Sequence, residues 1–171
     1  MHLEPSLKTK KANGDINCLA IYAPNSPEWV IADLACQANS LATVALYDTL
    51  GPDSVEFILN HTKAPVALAA LKHIPTLIKL KSQLPNLNYI VSITDLNDFD
   101  GVQGQSKLDL LNAWANDVGV KLISMKDVEN IGASNPFPNI KPTADTVSTI
   151  NYTSGTTGMP KVSLYIYILL L

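Results

Sequence analysis

Short runs of β-branched and aliphatic residues alternate along the chain with stretches whose apolar positions recur every three or four residues. The first pattern is typical of buried strands, and the second is typical of helices that lie on a sheet. Because strands and helices alternate, the sequence predicts an α/β fold with a mainly parallel sheet covered by helices. The predicted strands are 18–22, 43–46, 66–70, 89–93, 120–124 and 146–152.

Helical patterns fill most of the intervals between these strands. The first predicted helix has Ser26 as its cap and Pro27 at its first position, where a missing N–H costs nothing. In the fourth helix, Leu108, Leu111 and Trp114 share one side. The predicted helices are 26–38, 52–59, 74–83, 107–118 and 126–132. In the first of them, the apolar stripe predicted to face the core is Val30, Ile31, Leu34, Ala35 and Ala38.

The remaining stretches are predicted to be connections. Residues 94–106 are polar and contain two glycines, which indicates a surface loop, and 133–143 contain three prolines, which indicates an extended linker. For Asp48, at a strand end, we favour a turn-forming role. The polar loop also holds three aspartates without an EF-hand pattern, so a solvated loop is preferred to a cation site there. These aspartates are Asp95, Asp98 and Asp100.

Composition narrows the class of protein. The 171 residues are 47% hydrophobic and 16% charged, with a net charge of −3, which is typical of one globular domain. The mild acidity argues against nucleic acid as the main partner. All 12 basic residues are lysine. Any contacts with phosphate are therefore expected to come from backbone amides, hydroxyls and lysine, since the sequence contains no arginine to bind phosphate with two hydrogen bonds.

Cysteine and histidine usage points away from a disulfide scaffold and from a metal site. Cys18 and Cys36 are expected to be buried thiols in a reducing compartment. His2, His61 and His73 have no metal-ligand spacing, and for His61 we favour packing or a surface position over catalysis. The start of the chain does not resemble a signal peptide, and no apolar run approaches the roughly 20 residues of a transmembrane helix.

One segment concentrates hydroxyls, glycines and a lysine directly after the last predicted strand: residues 152–161, YTSGTTGMPK. Glycines allow backbone amides to approach a phosphate closely, hydroxyls donate hydrogen bonds, and Lys161 adds a positive charge. The Walker pattern GxxxxGK[ST] cannot be placed here. A generic loop of this composition would be a solvated turn, but the order of residues in this one is far more specific.

This order resembles the phosphate-binding loop of the adenylate-forming superfamily, the AMP-binding synthetases, whose signature reads YTSGTTGxPKG. Upstream, LAIYAPNSPEW (19–29), LYDTLGP (46–52) and FILNH (57–61) resemble the long-chain fatty acyl-CoA synthetases of eukaryotes. The resemblance covers residues 18–161. It implies that the chain contains the N-terminal part of the adenylate-forming fold, incomplete with respect to the family.

The resemblance also implies a reaction and a site. In that family a fatty carboxylate attacks the α-phosphate of Mg-ATP, pyrophosphate leaves, and the thiol of coenzyme A takes the acyl group. The implied substrates and cofactors are fatty acid, ATP, Mg²⁺ and coenzyme A. A loop hydroxyl is a candidate Mg²⁺ contact, but no metal ligand and no catalytic residue is assigned. The residues implied to hold the leaving phosphates are Thr153, Ser154, Gly155, Thr156, Thr157, Gly158 and Lys161.

The match stops abruptly after Lys161, where the family has glycine and this chain has Val162. We therefore divide the chain into a poorly defined segment 1–17, a partial AMP-binding domain 18–161 and a hydrophobic tail 162–171. The tail is expected to be translated intron, since residues 161–163 can be encoded AAG-GTA-AGT. Genomic sequence without GT at the Val162 codon would contradict this. The structural alternative is that the tail forms a genuine strand.

Other functions stay open at this point. The fragment is expected to be inactive alone and to bind ATP weakly. It could instead be a non-catalytic nucleotide-binding or interaction remnant, or belong to another adenylate-forming ligase, such as a coumarate-type ligase or an amino-acid adenylation domain. Relatives of the long-chain type often work at the endoplasmic reticulum or peroxisome, but this chain contains no targeting signal. Oligomeric state is not predicted.

Overall fold

The computed structural model describes residues 16–47, 51–94, 107–153 and 161–166. Within these residues the chain forms one seven-stranded sheet with helices on both faces. The strands are β1 Cys18–Tyr22, β2 Ala42–Ala45, β3 Val66–Ala69, β4 Tyr89–Ser92, β5 Lys121–Ser124, β6 Val147–Thr153 and β7 Lys161–Ile166. The helices are α1 Pro27–Ala38, α2 Pro52–Thr62, α3 Ile74–Leu80, α4 Lys107–Asp117 and α5 Met125–Ser134, and 3₁₀ turns at Leu71–His73 and Lys81–Gln83 flank α3.

The strand order is β5-β4-β3-β1-β2-β6-β7. Neighbouring strands from β5 to β6 run parallel, and β7 is antiparallel to β6. The predicted α/β class with a mainly parallel sheet is thereby confirmed. Residues 162–166, for which the sequence left a strand open, form most of β7.

Parallel strands with right-handed connections place helices on opposite faces according to the direction in which the chain moves across the sheet. One face packs against α2, α3 and α4, and its core cluster includes Cys18, Ala20 and Tyr22 of β1. The other face packs against α1 and α5, and its smaller cluster includes Ile21 of β1. Alternate residues of β1 therefore serve two different cores, as the period-two geometry of a strand requires.

Helix α1 begins as predicted but presents a different face to the sheet. The hydroxyl oxygen of Ser26 accepts a hydrogen bond from the Trp29 N–H at 3.3 Å, and Pro27 occupies the first turn. The predicted inward stripe is wrong for its largest members. The side that meets the sheet contains Ala32 and Cys36, which are buried. The exposed residues of the stripe include Val30 at 52%, Ile31 at 51% and Leu34 at 57% exposure.

A polar anchor fixes this rotation of α1. Asp33 Oδ1 accepts a hydrogen bond from the Thr43 hydroxyl at 2.8 Å, and Asp33 Oδ2 accepts one from Gln37 Nε2 at 2.8 Å. Thr43 lies in β2 and is buried, so the bond ties one side of the helix to the sheet. The bond holds α1 in the orientation in which Ala32 and Cys36 are buried and Val30, Ile31 and Leu34 are exposed.

The other predicted elements agree with the structure to within a few residues. In α4, Leu111 and Trp114 pack against the larger core, as the pattern predicted for that side. Cys18 and Cys36 are both buried. Asp48 and residues 95–106, with their three aspartates, lie outside the described residues. In the part of the chain that the structure describes, no helix is both long enough and apolar enough to cross a membrane.

Candidate functional site

Strand β6 ends at the edge of the sheet where the other parallel strands also end. In β6, Thr149 is the register partner of Thr43 and Ile150 is the partner of Val44. The Thr149 hydroxyl also donates to the Thr43 carbonyl at 3.3 Å. Carboxyl ends of parallel strands are where α/β sheets bind ligands. The segment that follows β6 therefore starts at a favourable place for a binding loop.

The two ends of the predicted phosphate loop are brought together by the hairpin of β6 and β7. Thr153 is the register partner of Lys161, and Tyr152 is the partner of Val162. Thr153 is exposed at the end of β6. For Lys161 the backbone position is given by this pairing. The candidates that lie outside the described residues are Ser154, Gly155, Thr156, Thr157 and Gly158.

Three aromatic rings pack together beneath the end of β6. We call Phe57, His61 and Tyr152 the aromatic cluster. The Phe57 and His61 rings stack with centroids 5.7 Å apart, and both meet Tyr152 edge-on, at 6.3 and 5.9 Å. His61 Nδ1 lies 2.6 Å from the Tyr152 hydroxyl oxygen, which is a hydrogen bond. The bond joins α2 to the residue before Thr153.

The chemistry of this bond follows from where each ring lies. Tyr152 is 4% exposed, and burial raises the pKa of its hydroxyl to about 12. The phenol is therefore protonated at neutral pH and can donate to Nδ1 when the His61 proton is on Nε2. His61 is exposed at the surface of α2. A buried hydroxyl is thus satisfied by a histidine that reaches it from the surface.

The sequence predicts a packing or surface role for His61, and the structure adds its hydrogen bond to Tyr152. Part of the arrangement has a sequence signal, since Phe57 and His61 are four residues apart and share one side of a helix. The partner Tyr152 is 91 residues away along the chain. Local periodicity gives no information at that separation.

A groove of about 440 Å³ lies beside the aromatic cluster. It is lined by Asp53, Glu56, Phe57, Asn60 and His61, all on α2. Its two carboxylates would repel a polyphosphate. We therefore do not assign this groove to the phosphates of a nucleotide.

No group of three metal-ligating side chains occurs among the described residues. Burial, with smaller contributions from Asp33 and Cys18, raises the pKa of the Cys36 thiol to about 12. A thiol that stays protonated at neutral pH is a poor nucleophile. Cys36 is accordingly a buried, unreactive thiol on α1.

Comparison with known proteins adds a family and a set of relatives. A family model described as AMP-binding enzyme matches residues 7–163. The peroxisomal acyl-CoA ligase 891 of Penicillium brevicompactum is 45% identical over 143 residues, which is 84% of this chain and 20% of the relative. The peroxisomal long chain acyl-CoA synthetase 6 of Arabidopsis thaliana is 38% identical over 143 residues, which is 84% of this chain and 19% of the relative.

Solved structures share the fold at lower identity. The adenylation domain of a carboxylate reductase from Mycobacterium chelonae superposes with a TM-score of 0.72 at 19% identity, covering 91% of this chain and 24% of that one. At this identity the likeness concerns the fold alone. The chain spans about a fifth of the length of the curated relatives it matches.

Proposed function

Because the chain belongs to the AMP-binding enzyme family, with the fold of the N-terminal part of adenylate-forming enzymes, we propose that the complete protein activates a long-chain fatty acid. ATP would convert the carboxylate to an acyl-adenylate, and coenzyme A would then take the acyl group. The observation that carries this proposal is the 45% identity to an acyl-CoA ligase over 143 residues, and the YTSGTTGMPK segment supports it.

Within that reaction, residues 153–161 would hold the β- and γ-phosphates as pyrophosphate leaves. Backbone amides and hydroxyls would stabilise the charge, and Lys161 would add a cation where negative charge develops. Magnesium would enter as the chelate of the substrate ATP. The register pairing of Thr153 with Lys161 supports this role, since it brings both ends of the segment to one point on the sheet edge.

The proposed AMP-binding unit is 18–161. It would be preceded by an N-terminal segment, 1–17, and followed by a hydrophobic tail, 162–171. The compartment proposed for the complete protein is the peroxisome, because two of the relatives are named as peroxisomal. Colocalisation of the complete protein with a peroxisomal marker tests this, and a reticular pattern would favour the endoplasmic reticulum instead.

A chimera tests the main proposal. Residues 18–161 of this chain would replace the matching segment of the Penicillium brevicompactum ligase, and acyl-CoA formation from a long-chain fatty acid would be measured. We expect activity within about tenfold of the parent, because this chain is 45% identical to that ligase over the 143 matched residues. In the chimera, Lys161→Ala should lower kcat/KM at least about tenfold, the cost of removing one charged contact from the transition state.

Lys126→Ala is the matched control for that variant. Lys126 is an exposed lysine on α5 whose ammonium pairs with Glu129 at 3.2 Å, so its loss should leave kcat/KM unchanged. A chimera that folds but forms no acyl-adenylate would reject the proposal. Equal activity of the two lysine variants would reject the role of Lys161.

For these 171 residues on their own we propose weak ATP binding without turnover, because a phosphate-binding segment supplies only part of a nucleotide site. Isothermal titration of the chain with Mg-ATP should give a dissociation constant weaker than the micromolar range. A micromolar constant would contradict this expectation, and release of pyrophosphate in the presence of a fatty acid would contradict the absence of turnover.

A further inference from the structure

We propose that His61 is a positioning residue for the phosphate-binding segment and that it acts through Tyr152. This inference rests on the proposed function, since it assigns a support to the same site. His61 is on α2, outside the YTSGTTGMPK segment, and it touches the strand from which that segment departs.

The end of β6 needs support from outside the parallel sheet. The register pairs between β6 and β2 end at Ile150 with Val44, three residues before Thr153. Beyond that point β6 is paired with β7, which includes the rung of Tyr152 with Val162. The bond from His61 Nδ1 to the Tyr152 hydroxyl adds a connection from α2 at this level of the strand.

The His61 ring is itself held in place. Its ring stacks on Phe57 at an interplanar angle of 15°, and it meets Tyr152 at 78°. Phe57 and His61 belong to one helix whose inner residues Val55, Ile58 and Leu59 are buried in the larger core. An exposed side chain thus links a helix that is packed on the larger core to Tyr152, the residue before Thr153.

Tyr152 transmits the constraint because it is buried. At 4% exposure, its hydroxyl has His61 as a protein partner in a place where losing a partner is costly. A shift of Tyr152 away from α2 would break the bond, and Thr153 would move with it. When Tyr152 and Thr153 are already held in one position, less conformational entropy is lost on phosphate binding.

The test separates the ring of His61 from its hydrogen bond. In His61→Phe the ring and its stacking are kept and the bond is removed. In His61→Asn the ring is removed, but a polar atom remains at the position of Nδ1, one bond beyond Cγ. Tyr152→Phe removes the other half of the bond. Asn60→Ala is the control, because Asn60 precedes His61 on α2 and bonds to the Gln83 carbonyl instead.

Two readouts are measured on the 171-residue chain: amide hydrogen exchange at residues 151–153 and 162–163, and binding of inorganic pyrophosphate by chemical-shift titration. We expect His61→Phe and Tyr152→Phe each to speed exchange and to weaken pyrophosphate binding about fivefold, the size expected for one hydrogen bond. The double variant should be no worse than either single variant, because both remove the same bond. His61→Asn and Asn60→Ala should stay within about twofold of the unsubstituted chain.

The outcomes distinguish this inference from the proposed function. If the unsubstituted chain does not bind pyrophosphate, the phosphate role of the segment fails, and hydrogen exchange still decides whether His61 holds the strand end. If the chain binds pyrophosphate and His61→Phe matches it in both readouts, the positioning role is overturned. If His61→Asn weakens pyrophosphate binding while His61→Phe does not, stacking rather than the bond is responsible, and the role is likewise overturned.

Discussion

The two helical layers of the molecule are attached to the sheet in different ways. Helix α2 buries the aliphatic residues Val55, Ile58 and Leu59 against the larger core. Helix α1 has a comparable set of aliphatic residues, but Val30, Ile31 and Leu34 are each about half exposed. Helix α1 meets the sheet through Ala32 and the partly buried Trp29, which pack in the smaller cluster, and through the hydrogen bond from Thr43 to Asp33.

The difference shows what apolar periodicity does and does not determine. A spacing of three and four residues places side chains on one side of a helix, and it does so in both helices. Which side meets the sheet depends on the partners across the interface. In α1 the hydroxyl of the buried Thr43 bonds to Asp33 and so holds the side of the helix on which Asp33 lies against the sheet.

The largest expected effect tests the aliphatic layer. Ile58→Ala should lower the free energy of unfolding by about 3 kcal/mol, because it removes a fully buried side chain and leaves a cavity in the core. Chemical denaturation of the chain and the variant measures the difference. A loss below about 1 kcal/mol would mean that the layer of α2 is loosely packed and that the contrast between the layers is small.

The polar anchor of α1 should come next. Asp33→Ala should lower the free energy of unfolding by about 2 kcal/mol, because the Thr43 hydroxyl and the Gln37 amide each lose an acceptor. Asp33→Asn is the matched variant, since it retains one oxygen for Thr43 and should lose about half as much. If Asp33→Ala has no measurable effect by chemical denaturation, this anchor does not hold the rotation of α1.

Helix α5, on the same face as α1, is fixed by its N-terminal cap. The Asp127 N–H donates to Ser124 Oγ at 3.0 Å, and Asp127 Oδ2 accepts from the Ser124 N–H at 2.9 Å. Ser124→Ala should cost about 1 kcal/mol at pH 7. Hydrogen bonds from the Ser124 hydroxyl and N–H hold the pKa of Asp127 below its usual value.

The sign of the pH dependence follows from that lowered pKa. The stabilisation that the ionised Asp127 gives to the folded chain is fully present above its ordinary pKa of 3.8. It is lost as the pH falls through the lowered pKa. The difference in the free energy of unfolding between the unsubstituted chain and Ser124→Ala should therefore become smaller below about pH 3.8. Denaturation curves at pH 7 and pH 3 measure this, and a difference that widens in acid would contradict the role of the cap.

The smallest effect is expected at the exposed side of α1. Leu34→Ala should change the free energy of unfolding by less than about 0.5 kcal/mol, because Leu34 is 57% exposed. Its comparison with Ile58→Ala uses similar deletions on two helices of one molecule. A loss above about 2 kcal/mol at Leu34 would show that this side of α1 is packed in solution.

Much of the fold could be predicted from the chain alone. The cap at Ser26 and the strand 18–22 agree with the structure, and the second strand is displaced by a single residue. These features depend on neighbouring residues, whose chemistry is visible in the sequence. The position of β6 beside β2 is different in kind, since Thr43 and Thr149 are 106 residues apart. Such a pairing depends on how the whole sheet assembles.

The candidate site divides in the same way. A phosphate-binding segment could be predicted from the composition of residues 152–161 and from their resemblance to a known signature. This was possible because the residues concerned are adjacent in the sequence. The link from His61 to Tyr152 could not be found in this way. His61 had no metal-ligand spacing, and its partner is brought near only when α2 packs over the end of β6.

The pairing of β6 with β7 places Thr153 opposite Lys161, although the two residues are eight positions apart along the chain. Bringing together the ends of a free segment of this length costs about 2 kcal/mol of conformational entropy. In this chain that cost is met when the hairpin forms, before any anion arrives. Affinity at this edge is thereby linked to the integrity of β7, and conditions that fray β7 should weaken anion binding well before the helices and the larger core unfold.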